Sequence, residues 1–315
     1  MSEQIVVFGF GPVGKAVTEQ AIRSGRSVRV AQRSRPADLT AGASFQRCDV
    51  LDADQVLAAA QGASQIVIAI GMAYVGDVWK VSWPKAMHNL VAAGEATGAR
   101  IVFVDNLYMY GPQTTPLRED MPLTSYGAKP AARSEATRIW QAASDAGRIC
   151  FAALRAPDFY GPHVGQSQLG DVALGAMGRG KQAMLILPPD VPHDFAYVPD
   201  LGRAVVTLLD APDDVYGQVW HSPSAPTTTP RKMLEIAAAT LNRKLSLMSI
   251  PLDLVPVMGL AMPLMREISE MRFQMRTPYR VDWTKFANRF WSDATPFEVG
   301  IPETVRSFLP ERLAA

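Results

Sequence analysis

The chain has 315 residues, a formal net charge of +1 and 48% hydrophobic residues. This length can hold one large α/β domain, or one such domain with a smaller lobe. A charge so close to neutral, without a block of Lys or Arg, excludes the usual basis for binding nucleic acid or an anionic membrane. The two cysteines, Cys48 and Cys150, have no metal or redox spacing, so we expect a reduced, cytoplasmic setting without a disulfide framework.

The first strong motif is G-F-G-P-V-G, which follows an apolar run from Ile5 to Phe8. The run predicts a buried strand, and the apolar pattern after the glycines predicts a helix. A strand, a glycine turn and a helix in this order bind the pyrophosphate of a dinucleotide. The first glycine permits the tight turn, the second leaves room for the pyrophosphate, and the third lets helix and strand pack closely. The predicted cofactor-binding residues of this motif are Gly9, Phe10, Gly11, Pro12, Val13 and Gly14.

The end of the second predicted strand, Ser27 to Gln32, indicates which dinucleotide is bound. NAD-specific folds place an acid about 20 residues beyond the glycines, where it holds the ribose hydroxyls. Here Gln32 occupies that place, and Arg33, Ser34 and Arg35 follow it. Two guanidinium groups without an acid suit a 2′-phosphate, so we predict that these three residues bind NADP(H) in preference to NAD(H). A solvated basic turn is the alternative.

Strands and helices alternate through the next part of the chain. Further strands are predicted at 44–48, 64–70 and 100–104, with helices between them, and this order predicts an α/β fold with a doubly wound parallel Rossmann sheet. Ligands bind beyond the carboxyl ends of such strands, so Asp49, Gly71, Asp105 and Asn106 should converge on one cleft. We predict that Asp49 and Val50 meet the adenine and that Gly71 lets the chain pass close to the cofactor. Alternatively, Asp49 or Asp52 caps the following helix.

The middle of the chain contains three longer motifs. Residues 102–112 are V-F-V-D-N-L-Y-M-Y-G-P, residues 154–162 are L-R-A-P-D-F-Y-G-P, and residues 193–201 are H-D-F-A-Y-V-P-D-L. With the N-terminal glycines and the E-V-G-I run at 298–301, they make the chain resemble an extended or atypical short-chain dehydrogenase/reductase of the NAD(P)-dependent epimerase/dehydratase family. The resemblance covers nearly the whole chain.

This resemblance implies a division into two parts. A Rossmann domain would take up residues 1–157 and 194–222. A smaller, mostly helical substrate-binding lobe would take up residues 158–193 and 223–315. We therefore expect the cofactor on the first part, with substrate contacts contributed by the second.

The resemblance also implies a catalytic set from which this chain departs. The family has a Ser or Thr four residues before the Tyr of a Tyr-Gly-Pro-like turn, and a Tyr-x-x-x-Lys pair whose Tyr exchanges a proton with the substrate oxygen. Here Asn106 stands at the Ser/Thr position, and the pair formed by Tyr126 and Lys129 is one residue too short. Pro130 predicts a helix start, with Tyr126 and Lys129 in the loop before it. Tyr126, Lys129 and Asn106 are the catalytic candidates, and a cleft-lining loop tyrosine is the alternative for Tyr126.

Other candidate residues follow from the resemblance. Pro157 would border the nicotinamide, and the predicted substrate contacts are Tyr74, Tyr108, Asp158, Phe159 and His163. Tyr108, Tyr110 and Tyr160 are rival phenols to Tyr126. His193 could donate a proton near neutral pH, although a packing role is favoured over this one. The four histidines are scattered, so we predict no metal site.

These observations predict an enzyme: an NADP(H)-dependent oxidoreductase that acts on a carbonyl or alcohol of a small molecule, with an altered catalytic triad. Two alternatives stay open. One is a non-catalytic NADP(H)-binding sensor or scaffold, and the other is a sugar-nucleotide epimerase or dehydratase. The expected partner is a small-molecule substrate, with neither nucleic acid nor membrane, and a homodimer is left open.

Overall fold

The structure, a computed structural model, describes residues 4–309, which form two compact units. The first unit consists of residues 4–111, 119–155 and 201–222. The second consists of residues 112–118, 156–200 and 223–309. The sequence-based boundaries assigned 112–118 and 194–200 to the first unit. These segments fall in the second because Leu117 bridges to Val281, and because the strand at 195–197 pairs with the strand at 158–160.

Eleven strands lie within the described residues. They are β1 (Gln4–Phe8), β2 (Ser27–Gln32), β3 (Ser44–Arg47), β4 (Gln65–Ile68), β5 (Arg100–Asp105), β6 (Cys150–Arg155), β7 (Asp158–Tyr160), β8 (Ala183–Leu185), β9 (Phe195–Tyr197), β10 (Val219–His221) and β11 (Leu247–Ser249). Seven of them form the parallel sheet of the first unit, in the order β10-β6-β5-β4-β1-β2-β3. The predicted Rossmann-type fold is confirmed. Two short parallel pairs, β7 with β9 and β8 with β11, belong to the second unit.

Helices flank this sheet and dominate the C-terminal region. They are α1 (Pro12–Arg23), α2 (Ala53–Ala60), α3 (Gly76–Thr97), α4 (Lys129–Asp145), α5 (Gly175–Gly178), α6 (Val198–Leu209), α7 (Pro230–Thr240), α8 (Val255–Met258), α9 (Pro263–Glu270), α10 (Phe273–Arg276), α11 (Thr284–Arg289) and α12 (Phe297–Arg306). Local chemistry explains several starts. The Asp52 side chain accepts a hydrogen bond from Gln55 N at the start of α2, and the Thr229 side chain accepts one from Lys232 N at the start of α7.

The sequence predicts a helix from about Pro84 to Thr97, whereas helix α3 begins eight residues earlier, at Gly76, and Pro84 lies inside it. A proline inside a helix removes one backbone hydrogen bond. Burial explains why the helix continues: Trp79, Trp83, Met87 and Leu90 are all buried in the core of the first unit. This apolar face outweighs the local preference for a break. The same core contains Trp140 of α4, which stacks on Phe151 of β6 with ring centroids 4.7 Å apart.

A buried ion pair fixes α4 against the sheet. Asp105, the last residue of β5, pairs with Arg133 of α4, and both side chains are almost fully buried. The Arg133 guanidinium lies 3.7 Å from the centroid of the Trp83 ring. Arg155 Nε, at the end of β6, is 3.8 Å from the second Asp105 carboxylate oxygen. Burial, with the like charge of Arg155, lowers the pKa of Arg133, so this carboxylate balances two crowded guanidinium groups.

The Arg155 guanidinium continues the network by donating to the Tyr110 hydroxyl at 2.7 Å and to Thr137 Oγ1 at 3.2 Å. The Tyr110 hydroxyl in turn lies 3.0 Å from His221 Nε2. These contacts connect α4, β6, β10 and the turn after β5. Because polar groups buried together depend on one another for hydrogen bonds, the network resists displacement of any single element.

Replacing Asp105 by Ala should destabilise the protein by about 3–5 kcal/mol, because it leaves buried positive charge without its partner. Asp213→Ala is the matched control: it removes an ion pair with Arg100 in which the aspartate side chain is 77% exposed, and such pairs contribute less than about 1 kcal/mol. Urea unfolding followed by circular dichroism measures both losses. If the two variants lost similar amounts of unfolding free energy, the buried pair would contribute no more to stability than the exposed one.

Candidate cofactor and active site

The glycine turn after β1 brings three backbone segments into close contact. Gly9 has φ +92°, and a Cβ there would stand 2.5 Å from the carbonyl oxygen of Ala69. A Cβ on Gly14 would stand 2.1 Å from the carbonyl oxygen of Gly9. A Cβ on Gly11 would meet no atom within 4 Å. Gly9 and Gly14 are therefore required by the fold, whereas Gly11 borders open space.

Helix α1 presents its amino terminus to that space. Pro12 is its first residue, Gly11 is its N-cap, and no side chain caps it. Proline suits this place because its missing N–H would have no partner inside the helix. The N–H groups of a first turn and the positive end of the helix dipole attract anions. The local geometry thus provides an anion site directly beside the room left at Gly11.

A cavity of about 430 Å³ adjoins this turn at the carboxyl ends of the strands. Four segments of the first unit line it, coming after β1, β2, β3 and β4. The lining residues are Gly9, Phe10, Gly11, Ala31, Gln32, Arg33, Ser34, Cys48, Asp49, Val50, Leu51, Ala69, Ile70, Gly71, Met72, Ala73, Val78 and Ser82. A cavity lined by both polar and apolar groups at the carboxyl ends of the strands, next to an anion site, suits a dinucleotide, so the residues present fit that cofactor.

Gln32 closes the β2 side of this cavity. Its side-chain oxygen accepts a hydrogen bond from Phe10 N at 3.0 Å, and its amide group donates to the carbonyl oxygen of Ser34 at 2.8 Å. These bonds tie the glycine turn to the segment that carries Arg33 and Ser34. The sequence shows only that an acid is missing here. It gives no indication of this bridge, which depends on a contact between residues 22 positions apart.

The two arginines after β2 differ in position. Arg33 and Ser34 line the cavity, whereas the Arg35 guanidinium lies 5.8 Å from the centroid of the Phe45 ring, outside the lining residues. Asp49 and Val50 line the cavity on the β3 side. The alternative role of helix cap falls to Asp52, as its bond to Gln55 N shows.

Cys48 also lines the cavity but is poorly suited to nucleophilic chemistry. Its side chain is buried beside Asp49 and Asp52. Burial, followed by the negative charges of the two aspartates, raises the pKa of the Cys48 thiol to about 11. The thiol therefore stays protonated near neutral pH, and the nucleophile of a cysteine is its thiolate.

The catalytic candidates occupy three different environments. Tyr126 lies in the loop before α4, with a side chain 44% exposed. Lys129 is fully buried and is the first residue of α4, whereas the sequence placed it in the loop. That boundary was wrong by one residue, since Ala128 rather than Lys129 is the N-cap. Asn106 is part of the turn after β5, where its side-chain oxygen accepts a hydrogen bond from Tyr108 N at 3.1 Å. The Asn106 oxygen is thus engaged by the backbone, which leaves its NH₂ group as the donor.

Of the four residues predicted to converge on one cleft, only two line the cavity. Asp49 and Gly71 line the cavity. Asp105 is turned into the core and paired with Arg133, and Asn106 is absent from the lining residues. The predicted strand at 100–104 ends one residue before β5 does, and the sequence did not reveal that a buried arginine on α4 would pair with the Asp105 carboxylate.

Two of the rival phenols are core residues. Tyr110 and Tyr160 are both 1% exposed, and burial raises the pKa of each hydroxyl. The third rival phenol, Tyr108, and the predicted substrate contact Tyr74 belong to an aromatic cluster around Trp79. Tyr108 stacks on Trp79 with ring centroids 5.9 Å apart, and Tyr74 meets Trp79 edge-on at 5.7 Å. Tyr74 and Tyr108 are half-buried, so their rings are fixed while part of each remains accessible.

Pro157, predicted to border the nicotinamide, and the remaining substrate candidates lie in the second unit. Pro157 directly precedes β7, Asp158 and Phe159 belong to β7, and His163 follows in a turn with φ 60°. Asp158 Oδ2 is 3.0 Å from Nε2 of the buried His193. The His193 ring packs between Phe195 and Tyr279, with centroids 4.7 and 4.8 Å away. Burial raises the pKa of the neighbouring Asp194 carboxyl, which accepts a hydrogen bond from Val281 N. This packing agrees with the structural role favoured for His193.

The fold and cavity together define a dinucleotide-binding Rossmann protein. More specifically, the chain belongs to the NAD dependent epimerase/dehydratase family, whose model matches residues 5–221. The family membership that the sequence motifs predicted is therefore confirmed. Membership places the protein in an enzyme family that depends on a nicotinamide dinucleotide.

Several solved structures share the fold of this chain. UDP-glucose 4-epimerase from Thermus thermophilus, in complex with NAD, has a TM-score of 0.75 and 17% identity, with 99% of this chain and 100% of that chain covered. dTDP-glucose 4,6-dehydratase from Bacillus anthracis, also with NAD, has a TM-score of 0.78 and 15% identity over 98% and 96% of the two chains. UDP-glucuronic acid 4-epimerase from Bacillus cereus, bound to UDP-glucuronic acid and NAD, has a TM-score of 0.78 and 14% identity over 97% and 98%. Identities this low show a shared fold.

No curated protein matches the chain significantly. Within residues 4–309, no helix is both long and apolar enough to cross a membrane. The same residues contain no group of three or more His, Cys, Asp or Glu side chains that could hold a metal ion.

Two glycine substitutions should separate the fold from cofactor binding. Gly14→Ala should lower the free energy of unfolding by about 1–3 kcal/mol, because its methyl group meets the Gly9 carbonyl. Gly11→Ala should leave the free energy of unfolding nearly unchanged but weaken NADPH binding by at least about tenfold, because its methyl group enters the space reserved for the pyrophosphate. Urea unfolding and fluorescence titration with NADPH measure the two effects. If Gly11→Ala binds NADPH as well as the original protein does, the pyrophosphate does not pass this glycine.

Proposed function

We propose that the protein is an NADP(H)-dependent oxidoreductase that interconverts a carbonyl and an alcohol on a small molecule. The observation that carries the proposal is the lining of the cavity on the β2 side. Arg33 borders the cavity there, and Gln32 stands where an acid would hold the ribose of NAD. A guanidinium pairs with a phosphate through two parallel hydrogen bonds. A 2′-phosphate at this place would therefore be attracted, without a carboxylate to repel it.

The first unit would bind NADP(H) along the row of strand ends. The 2′-phosphate would meet Arg33 and Ser34, the adenine would meet Asp49 and Val50, and the pyrophosphate would lie at the amino terminus of α1. Gly71 would let the chain pass close to the nicotinamide half. When bound, the cofactor supplies or accepts the hydride, while the chain orients it and excludes water.

A sugar-nucleotide epimerase or dehydratase is the second candidate function. Its support is the family itself and the three related structures, which carry those activities in their names. The altered triad counts against it, because Tyr126 is an exposed loop residue and Lys129 is three rather than four residues away. An epimerase restores its cofactor in each turnover, whereas a reductase consumes NADPH in proportion to product. This difference separates the two candidates in one assay.

NADPH should bind at least about tenfold more tightly than NADH, since charge-assisted hydrogen bonds to the extra phosphate are worth roughly 1.5–3 kcal/mol. Arg33→Ala should remove most of this preference by weakening NADPH binding while leaving NADH binding unchanged. Arg35→Ala is the matched control, because Arg35 lies beside Phe45 and should leave the preference intact. Isothermal titration calorimetry of each variant with NADPH and with NADH measures this preference. Equal affinities for NADPH and NADH in the original protein would refute the phosphate assignment.

Incubation of the protein with NADPH and a panel of aldehydes, ketones and quinones should show NADPH oxidation with at least one compound. Parallel incubations with UDP-glucose and dTDP-glucose, in which NAD⁺ or NADP⁺ is supplied as the hydride acceptor, test the second candidate, and chromatography of the sugars detects conversion. Conversion of a sugar nucleotide without net NADPH consumption would replace the proposed reductase with the epimerase or dehydratase. NADPH binding without conversion of any compound would favour the sensor or scaffold.

A further inference from the structure

Lys129 has an unusual position for a charged side chain. It is fully buried, and it stands at the first residue of α4. Lysine is rarely fully buried, because removing its ammonium group from water is costly. The amino terminus of a helix carries positive partial charge, which raises the cost further. A group that develops negative charge nearby would therefore be strongly stabilised at this place.

The ring of Tyr74 lies directly against this ammonium group. Lys129 Nζ is 4.8 Å from the centroid of the Tyr74 ring, within the range of a cation–π contact. The ring is also held edge-on by Trp79, whose indole N–H donates to the carbonyl oxygen of Ala73 at 2.8 Å. These contacts join residues 74 and 129 across 55 positions of the chain. They fix the phenol in a half-buried position.

Tyr74 belongs to a segment that borders the cofactor cavity. Gly71, Met72 and Ala73 line the cavity just before it, and Val78 lines the cavity just after it. This segment follows β4, which lies on the other side of β1 from β2 and β3. The adenosine half of a dinucleotide lies over β2 and β3 in such sheets, so the nicotinamide half lies on the β4 side. Tyr74 is therefore beside the reactive half of the cavity.

We propose that Tyr74 is the proton donor to the substrate oxygen and that Lys129 stabilises the resulting phenolate. The pair would be assembled in space from two distant parts of the chain, in place of the missing Tyr-x-x-x-Lys pair. Tyr74 is thus a catalytic residue, and Lys129 acts through it. The proton-donor role rests on the proposed reductase function, whereas the interaction between the two side chains does not.

In carbonyl reduction, the substrate gains a hydride at its carbon and a proton at its oxygen. A hydride, supplied by the reduced nicotinamide when bound, adds to the carbonyl carbon while the C=O π bond breaks. The electron pair of that bond goes to the substrate oxygen, which takes the proton from the Tyr74 hydroxyl and becomes an alcohol. The Tyr74 phenolate, stabilised by the Lys129 ammonium group, then takes a proton from water. Alcohol oxidation is the reverse.

The other charged groups around Tyr74 do not compete for this role. On α4, Arg133 stands one turn beyond Lys129 and is paired with Asp105 of β5. On α3, Asp77 and Lys80 pair with each other at 3.3 Å and are largely exposed. Tyr108, after β5, packs on the same Trp79 ring without an ionised group. Lys129 is the cation in contact with the Tyr74 ring.

Nuclear magnetic resonance of protein labelled at the tyrosine Cζ tests the pair without substrate or cofactor. Tyr74→Phe and Tyr126→Phe assign the two signals. Tyr74 should lose its proton at a pH at least one unit lower than the exposed Tyr126, a tenfold difference in acidity. Lys129→Met, which keeps the length of the side chain but not its charge, should raise the Tyr74 midpoint by at least one unit and leave that of Tyr126 in place.

If the titrations of Tyr74 and Tyr126 in the original protein have equal pH midpoints, Lys129 does not stabilise the Tyr74 phenolate. This comparison does not require the Lys129→Met variant to fold. An unchanged Tyr74 midpoint in folded Lys129→Met protein would also overturn it. Circular dichroism establishes that each variant is folded.

Turnover tests the role of the pair in catalysis. With 9,10-phenanthrenequinone and the aldehydes of the panel as probes, Tyr74→Phe should lower kcat about 100-fold, the usual contribution of a positioned proton donor. Its affinity for NADPH should be unchanged. Tyr126→Phe tests the rival catalytic candidate: a comparable loss of kcat there, with full activity of Tyr74→Phe, would assign the donor role to Tyr126. Full activity of Tyr74→Phe would overturn the donor role. Absence of any turnover in the original protein would overturn the reductase function and the donor role with it, while the magnetic resonance titration still decides whether Lys129 acts on Tyr74.

Discussion

The buried ion pair between Asp105 and Arg133 is the interaction on which the active side of the first unit depends. It joins the end of β5 to α4 in the core, where a lone charge would be expensive to keep. Lys129 lies one helical turn before Arg133, so the same pair determines where the Lys129 ammonium group stands. The turn that carries Asn106 starts directly after Asp105. The positions of these groups therefore follow from a contact that itself takes no part in binding.

The glycine turn imposes the second constraint. Gly9 and Gly14 permit contacts that no side chain would allow, and this close packing places the amino terminus of α1 beside the space at Gly11. Gln32 then ties the turn to the segment that carries Arg33. Hydrogen bonds therefore connect the proposed pyrophosphate site at α1 to Arg33, the residue proposed to select the cofactor.

The sequence predicted the elements whose signals are local. The strand predicted from Ser27 to Gln32 agrees with the structure at both ends. A capping Thr followed by Pro also predicts a helix start at Thr229 and Pro230, where α7 begins. Prediction failed where distant residues meet. The start of α3 was missed because buried tryptophans override Pro84, and the contact between Tyr74 and Lys129 has no expression in sequence spacing. A search for a Tyr-x-x-x-Lys pattern compares Lys129 only with tyrosines close to it in the chain, such as Tyr126, whose role is a prediction still to be tested.

The central claim is that the first unit binds NADP(H) with its 2′-phosphate at Arg33 and its nicotinamide beside Tyr74. A crystal structure of the complex with NADPH tests this claim most directly. It should show the Arg33 guanidinium within hydrogen-bonding distance of the 2′-phosphate, and Tyr74 as the phenol whose hydroxyl is nearest to the nicotinamide C4 atom. A 2′-phosphate facing solvent away from Arg33, or Tyr126 as the nearest phenol, would contradict it.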